Sequence, residues 1–426
     1  MAIELSARAF AALQTYRLLH GFVSMSAAAS VPFLGKFSRR INIGFKDYLG
    51  FVTPAQKPVL WVHGVSMGES MVAAGFAAEL KRRFPGFQIA FTTTHPDVYA
   101  GIVKRQQADI VAYFPLDNPV FMNRVFNRWK PSAVFVAETD FWPEFSWQCQ
   151  KRNIPLLLIN GRISEKIARF YRSFNGLGEV VFGAFALLAV QTTTDASRLL
   201  EIGARPDQIK ILGNMKADLT PSSDVDLSAI KRWVNQRPCV VLGSLHPSEF
   251  KILQPAFRQF SENRVALIIA PRNPANGQKW QQELQNSGLN TCLRSALNTD
   301  CSSEVMILDT MGELASVYRL ADAALVGGSI DQSVGGHNPL EVIQQHVPLL
   351  MGPNCRNFAD IVSQLQSENG IGIVETAETF LNAVNRLLND RNAAEEQVLA
   401  ADGVLEESRG CLEKTFAAAV TAARLK

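Results

Sequence analysis

Residues 58–70 read PVLWVHGVSMGES. The apolar run Val59-Leu60-Trp61-Val62 gives way to glycines at Gly64 and Gly68, Glu69 follows at once, and small-residue periodicity resumes in Met71-Val72-Ala73-Ala74. A buried strand, a tight turn and a helix start account for that order. Three readings of the turn compete. Ser66 and Glu69 have the spacing of a capping box, in which the glutamate reaches back to the cap N–H. Gly64-Val65-Ser66-Met67-Gly68 also fits the G-x-S-x-G nucleophile elbow, which would make Ser66 a hydrolase nucleophile. In the third reading Glu69 is a general base at the carboxyl end of a parallel strand, where open α/β sheets bind ligands.

The rest of the chain weighs on that choice. Apolar runs at 59–62, 88–93, 110–113, 133–137, 155–159 and 186–191 alternate with amphipathic stretches, the pattern of βαβ units on a parallel sheet. Around 218–237 the composition turns polar with a Pro-Ser-Ser centre, a linker signal. The pattern then restarts. PCVVLGSLHPSEF at 238–250 echoes the opening stretch, with Glu249 standing eleven residues after Pro238 as Glu69 stands after Pro58. Strands follow near 265–270, 305–308, 323–326 and 348–351. The expected fold class is α/β, with two Rossmann-like domains facing each other across a cleft. An elbow serine normally follows several strands and is succeeded by an acid and a histidine, whereas Ser66 follows the first strand and His337 lies in the other half. A serine hydrolase therefore stays as an alternative only.

Composition narrows the class further. At 426 residues the chain exceeds one ordinary core, so two domains are expected. Forty-two Lys and Arg against thirty-nine Asp and Glu leave +3, too balanced to point to nucleic acid. The six cysteines, at 149, 239, 292, 301, 355 and 411, show no C-x-x-C spacing and read as reduced thiols. The histidines form no metal-binding motif, so no metal and no cofactor is expected. Residues 9–34 are mostly apolar but interrupted by Arg17 and His20, and Lys36, Arg39, Arg40 and Lys46 follow. No uncharged run is long enough to span a bilayer, and Arg17 breaks the core that a signal peptide needs. A helix lying in the membrane interface fits the mixture, with an ordinary buried first helix as the alternative.

The second half carries the anion-binding signals. GGHNPLEVIQQ is a glycine turn opening a helix, with Asn338 able to cap, Pro339 suited to the first helical position and Glu341 at capping-box spacing. Exposed N–H groups beside glycines suit a phosphate, and Glu341 can accept from sugar hydroxyls. DTMGEL supplies a second loop-to-helix turn, where Gly312 exposes backbone and Glu313 begins a helix. LIIAPRNP places Pro271 and Arg272 just past a strand, where a guanidinium would meet a phosphate. Neither G-x-G-x-x-G with a trailing acid nor G-x-x-x-x-G-K-[ST] is present, which disfavours a dinucleotide or a P-loop.

The segments WVHGVSMGE, AETDFWPEF, NGRIS, GNMKAD, GSLHPSE, APRNP, DTMGEL and VGGSI…GGHNPLE…GP follow one another in the order found in the 3-deoxy-D-manno-octulosonic acid (Kdo) transferases of lipopolysaccharide synthesis. The chain resembles that family from about Trp61 to Pro353. The resemblance implies a GT-B fold, a CMP-Kdo donor, a lipid A precursor as acceptor, and a peripheral, monotopic place on the cytoplasmic face of the inner membrane. It implies a membrane-associated segment over 1–50, an acceptor domain over 51–220, a linker over 221–237, a donor domain over 238–405 and a final helix over 406–426. Glu69 matches the family's base, Glu138 a second essential carboxylate and Lys216 a residue supporting the transition state. Pro271, Arg272, Met311, Gly312, Glu313, Asn338, Pro339, Leu340 and Glu341 match CMP-binding positions. Arg162 is an acceptor-phosphate candidate, with an ion pair as the equal alternative. The family's first motif more often reads H-A-x-S-x-G-E where this chain has Gly64, while Asp140, Phe141 and Ala217 also depart from its usual residues. A non-catalytic membrane- or glycan-binding protein is the remaining alternative.

The implied chemistry is an inverting transfer. CMP departs as a phosphate anion without needing a proton, so one base and no acid is expected, unlike the paired carboxylates of glycoside hydrolysis. A helix start lowers the pKa of Glu69 while a good base wants one nearer neutrality, so burial or the charge of Glu138 is expected to raise it.

Overall fold

The computed structural model describes residues 5–34, 39–65, 67–174, 176–218, 225–297 and 303–425, without the side chains of 27–43 and 67–69. The chain divides into two compact units, Met1–Leu219 with Gly410–Lys426, and Thr220–Arg409.

The first unit is built on seven parallel strands: β1 (Val59–His63), β2 (Gln88–Thr93), β3 (Ile110–Tyr113), β4 (Pro131–Ala137), β5 (Leu156–Gly161), β6 (Phe185–Val190) and β7 (Ile209–Ile211), in the order β3-β2-β1-β4-β5-β6-β7. Alternation along β1 decides which side chain goes to which face. Val59 and Trp61 join one apolar layer, Leu60 and Val62 the other. Trp61 is fully buried, with Trp129 and Phe145 each 4.9 Å from its ring. The second layer is completed from the far end of the chain: Phe416, on the helix Cys411–Ala423, stands 5.2 Å from Phe76, and Glu413 pairs with Arg83 at 2.6 Å.

The second unit repeats the plan with β8 (Cys239–Leu245), β9 (Ala266–Pro271), β10 (Thr291–Leu293), β11 (Val305–Ile307), β12 (Ala323–Val326), β13 (Leu349–Met351) and β14 (Gly372–Ile373), in the order β10-β11-β9-β8-β12-β13-β14. Both sheets are parallel and both reverse their strand order beside their first strand, between β1 and β4 and between β8 and β12. The expected apolar runs each appear as strands. Three short strands have no counterpart among them: β7, β10 and β14, each at a sheet edge and too short to print an apolar pattern. The helix Ser228–Val234 belongs to the second unit, where Trp233 Nε1 donates to Ser303 Oγ at 2.9 Å.

The helix Ala7–Leu34 lies on the first unit by one face. Ala9 and Leu13 are buried against Val180, and Tyr16 donates to Asp117 at 2.8 Å. Arg17, which in the sequence interrupts an apolar run, makes a bidentate pair with the buried Glu144, at 2.7 and 3.2 Å. Burial pushes the Asp117 carboxyl up to about 7, with the nearby Glu144 charge adding to the effect. The opposite face leaves Phe10, Leu18, Leu19, Phe22, Val23 and Met25 exposed. No helix among the described residues is long and apolar enough to cross a membrane.

Arg17→Ala removes the cation from a carboxylate that has no solvent of its own. It should lower stability by about 2–3 kcal/mol, less than for a fully dry pair because Arg17 keeps some solvent. Urea denaturation of the variant beside the parent measures the loss.

Candidate active site

The reversal of strand order opens the carboxyl edge of each sheet to a ligand, because the connections on its two sides run to opposite faces. In the first unit the loops after β1 and β4 flank this point. Gly64 leaves β1 with its N–H on Thr92 O at 3.1 Å, and the helix Met67–Arg83 follows, with Glu69 in its first turn. Ser66 and the side chain of Glu69 fall outside the description, so neither the capping box nor the elbow is drawn from them.

Glu138 stands just past β4 with φ +60° and is buried. Left-handed backbone costs a residue with a Cβ about 1–2 kcal/mol, and here it turns the carboxylate onto Lys216. Lys216 Nζ lies 2.7 Å from Glu138 Oε1, and Asn160 Nδ2 donates to the same oxygen at 3.1 Å. Asn160, itself at φ +53°, accepts from the N–H of Met215 at 2.8 Å and so fixes the short 3₁₀ turn Met215–Asp218 that carries Lys216. Three motifs far apart in sequence thus meet as one buried cluster. Arg162 joins by backbone, its N–H donating to Glu138 O at 3.1 Å, while its charge acts on the buried Asp195.

Beside this cluster lies a pair that the sequence reading passed over. His63 is wholly buried, 4.1 Å over the Phe114 ring, with Nε2 2.6 Å from Asp140 Oδ2 and Nδ1 2.9 Å from Thr92 Oγ1. Trp61 Nε1 donates to Thr92 Oγ1 and Trp142 Nε1 donates to Asp140 Oδ2, both at 2.8 Å. Nδ1 also lies 3.0 Å from Thr92 O, so the ring is held between Thr92 on one side and the Asp140 carboxylate on the other. The only sequence signal for it was a histidine in register with Trp61 on the same face of β1.

In the second unit the organising group is Glu249, fully buried in the first turn of the helix Pro247–Glu262. Its carboxylate accepts the N–H of His246 at 3.0 Å, as the capping spacing predicts. It also accepts the N–H groups of Gly328 at 2.7 Å, Ser329 at 2.9 Å and Ile330 at 2.9 Å. The loop after β12 is thereby tied to the loop after β8 across the reversal. His337 closes the same turn, its N–H on Gly327 O at 3.1 Å.

The expected donor positions follow β9, β11 and β12. Pro271 ends β9, and Arg272 follows with its N–H on Leu245 O at 2.9 Å. The Arg272 side chain is exposed and makes no ion pair among the described residues. Met311 is exposed, and Gly312 has φ +84° with open space where a Cβ would stand. Glu313 stands at the residue before the short helix Leu314–Val317, makes no side-chain bond to cap it, and pairs with Arg294 at 2.9 Å. Asn338 Oδ1 accepts from Leu340 N at 3.2 Å, while Pro339 precedes the four-residue helix Leu340–Ile343 that holds Glu341. Glu341 Oε1 takes a long contact of 3.4 Å from Asn338 Nδ2.

Residues 42–219 match the family described as 3-deoxy-D-manno-octulosonic-acid transferase (kdotransferase). The 3-deoxy-D-manno-octulosonic acid transferase of Chlamydia muridarum is 27% identical over 94% of this chain and 96% of its own length. That of Haemophilus influenzae is 29% identical over 83% and 85%. The chain belongs to the Kdo transferase family. In solved structures the two-unit fold recurs in a glycosyltransferase of Rickettsia africae, with TM-score 0.58 and 12% identity over 87% of this chain and all of that one. It recurs also in a UDP-N-acetylglucosamine 2-epimerase of Listeria monocytogenes, with TM-score 0.54 and 12% identity over 82% and 94%. These two likenesses bear on the fold alone, that of GT-B glycosyltransferases.

For this Kdo transferase family member, Glu249→Gln tests the second unit directly. An amide offers one acceptor oxygen and turns an NH₂ toward N–H donors. Stability should fall by about 3 kcal/mol, read from the denaturant midpoint, since contacts to a charged acceptor are worth about 1.5–3 kcal/mol each.

Proposed function

We propose that the protein transfers Kdo from CMP-Kdo to a sugar hydroxyl of a lipid A precursor with inversion, at the cytoplasmic face of the inner membrane. The observation that carries the reading is the convergence of family motifs on one edge of the first sheet. Glu138, Asn160 and Lys216 lock together beside the strand whose following helix bears Glu69. In this reading Glu69 takes the proton from the acceptor hydroxyl as its oxygen attacks the anomeric carbon, and CMP leaves with the bonding electrons. Lys216 keeps a positive charge at the reaction edge, and Glu138 holds that ammonium in place.

The pairing changes one part of the sequence argument. Glu138 is neutralised by Lys216, so it is a poor source of the repulsion that was to raise the Glu69 pKa. Desolvation by the bound lipid acceptor is left for that task. On the donor side the exposed Arg272 guanidinium supports phosphate binding, with Met311, Gly312, Glu313, Asn338 and Glu341 around the nucleotide.

The exposed apolar face of the helix Ala7–Leu34 supports a monotopic attachment. Its other face is fixed to the protein by Arg17 and Tyr16, so the membrane-facing residues are Leu18, Leu19, Phe22 and Val23 rather than the interrupting arginine.

Glu69→Gln should lower turnover of CMP-Kdo with a tetraacylated lipid A precursor by roughly 10²–10⁴-fold while CMP still binds. Mass spectrometry of the lipid product and a CMP titration measure the two halves of that statement, and near-normal turnover refutes the base. Leu18→Asp with Phe22→Asp should weaken co-sedimentation with anionic vesicles and leave the melting temperature within a few degrees, since both side chains are already exposed.

A further inference from the structure

Two histidines occupy the reversal point of the second sheet. His246 follows β8 and His337 lies in the loop after β12, ninety-one residues apart in sequence. Their Nε2 atoms approach to 2.9 Å and their rings stack at 9° with centroids 5.1 Å apart. The contact is built in. Glu249 accepts from the N–H of His246 and from that of Gly328, so one carboxylate sets both turns. A Cβ on Gly328 would stand 2.8 Å from His337 Cδ2 and 3.0 Å from its Nε2, so the glycine is what admits the ring.

An Nε2–Nε2 contact of this length needs one hydrogen between the nitrogens. If both carried hydrogen, two N–H groups would meet head-on. The pair therefore holds a single proton at that point and leaves a proton-accepting site unused. The charges around it are asymmetric. Burial, then the charges of Arg272 and His246, hold His337 down to about 4. Asp331, tied to Ser248 and Ser333, is the carboxylate whose charge meets His246, and Glu249 is committed to backbone N–H groups. Two imidazoles in contact through their Nε2 atoms, near a guanidinium that makes no ion pair among the described residues, offer donors to an anion.

We propose that His246 and His337 form the phosphate-responsive part of the nucleotide site: the Nε2–Nε2 contact opens when CMP binds, both rings donate Nε2–H to phosphoryl oxygens, and the pair takes up a proton from solvent. The inference rests on the donor-site reading given above. It assigns to two residues outside the expected donor set the sensing of phosphate charge, including the second charge that CMP acquires on leaving the sugar.

Calorimetry of the full-length protein with CMP near pH 7.5, in buffers of different ionisation enthalpy, reads the uptake directly. The slope should correspond to roughly one proton per CMP, with none for cytidine. In the wild-type protein labelled with ¹⁵N-histidine, one of the six imidazoles should move to the shifts of the protonated ring on adding CMP, and a second should shift as its Nε2–Nε2 hydrogen bond is lost. His337→Asn and His246→Asn, with retained melting transitions, should each abolish the uptake or the binding of CMP. A wild type that binds CMP with no uptake and unmoved imidazole resonances overturns the inference and leaves the donor reading standing. Uptake that persists unchanged in both variants also overturns it, since the phosphate or another group then takes the proton. A wild type that binds neither CMP nor cytidine sinks the donor reading itself.

Discussion

A carboxylate buried without a cation sets the form of the second unit. Glu249 makes no ion pair among the described residues and is closed off from solvent, and taking such a charge out of water costs several kcal/mol. Backbone N–H groups offset that cost only if enough of them converge. Three consecutive ones, from Gly328, Ser329 and Ile330, do so because Gly328 adopts φ +71° and bends the chain around the oxygens. The glycine pair in GGSI is thus a requirement of the glutamate. Everything at that edge is placed by the arrangement: the ends of β8 and β12, the two imidazoles and the neighbouring Arg272 loop, whose N–H reaches back to Leu245.

The first unit meets the same topological demand by other means. Its reversal point is held by an ion pair with an amide bridge, Glu138 to Lys216 and Asn160, and the bent backbone is on Glu138 and Asn160 rather than on glycine. Glu69 and Glu249 occupy the same place, third in the helix after the first strand of their sheet. In the second unit that place is spent on structure. In the first, Glu138, Asn160 and Lys216 hold the reversal point together.

Much of this was legible beforehand. Apolar runs gave the number and direction of the central strands, a guanidinium just past a strand pointed to Arg272, and the resemblance to the Kdo transferases named Glu138 and Lys216. What escaped had a physical reason. The strands β7, β10 and β14 are too short to print a pattern. Glu249 was visible as an echo of Glu69, but capping spacing shows only the bond to His246 and gives no hint of three N–H partners about eighty residues away. His63 with Asp140 and His246 with His337 are pairings across strands, and no local periodicity encodes a partner in another loop. Arg17 misled in the opposite sense. A charge inside an apolar run reads as a break, whereas here it is the peg that fastens one face of the helix to Glu144.

The return of the final helix to the first unit has a consequence for biogenesis. Residues 411–423 supply Cys411, Phe416, Ala419 and Ala423 to the layer formed by Leu60, Val62, Phe76 and Leu157. The whole of Thr220–Arg409 intervenes in the chain. During translation one side of the first sheet therefore waits, greasy and uncovered, while almost two hundred residues of another unit emerge and fold. A nascent chain halted anywhere in that interval presents a sticky surface, which makes the ribosome-bound intermediate, rather than the finished enzyme, the natural client of a chaperone.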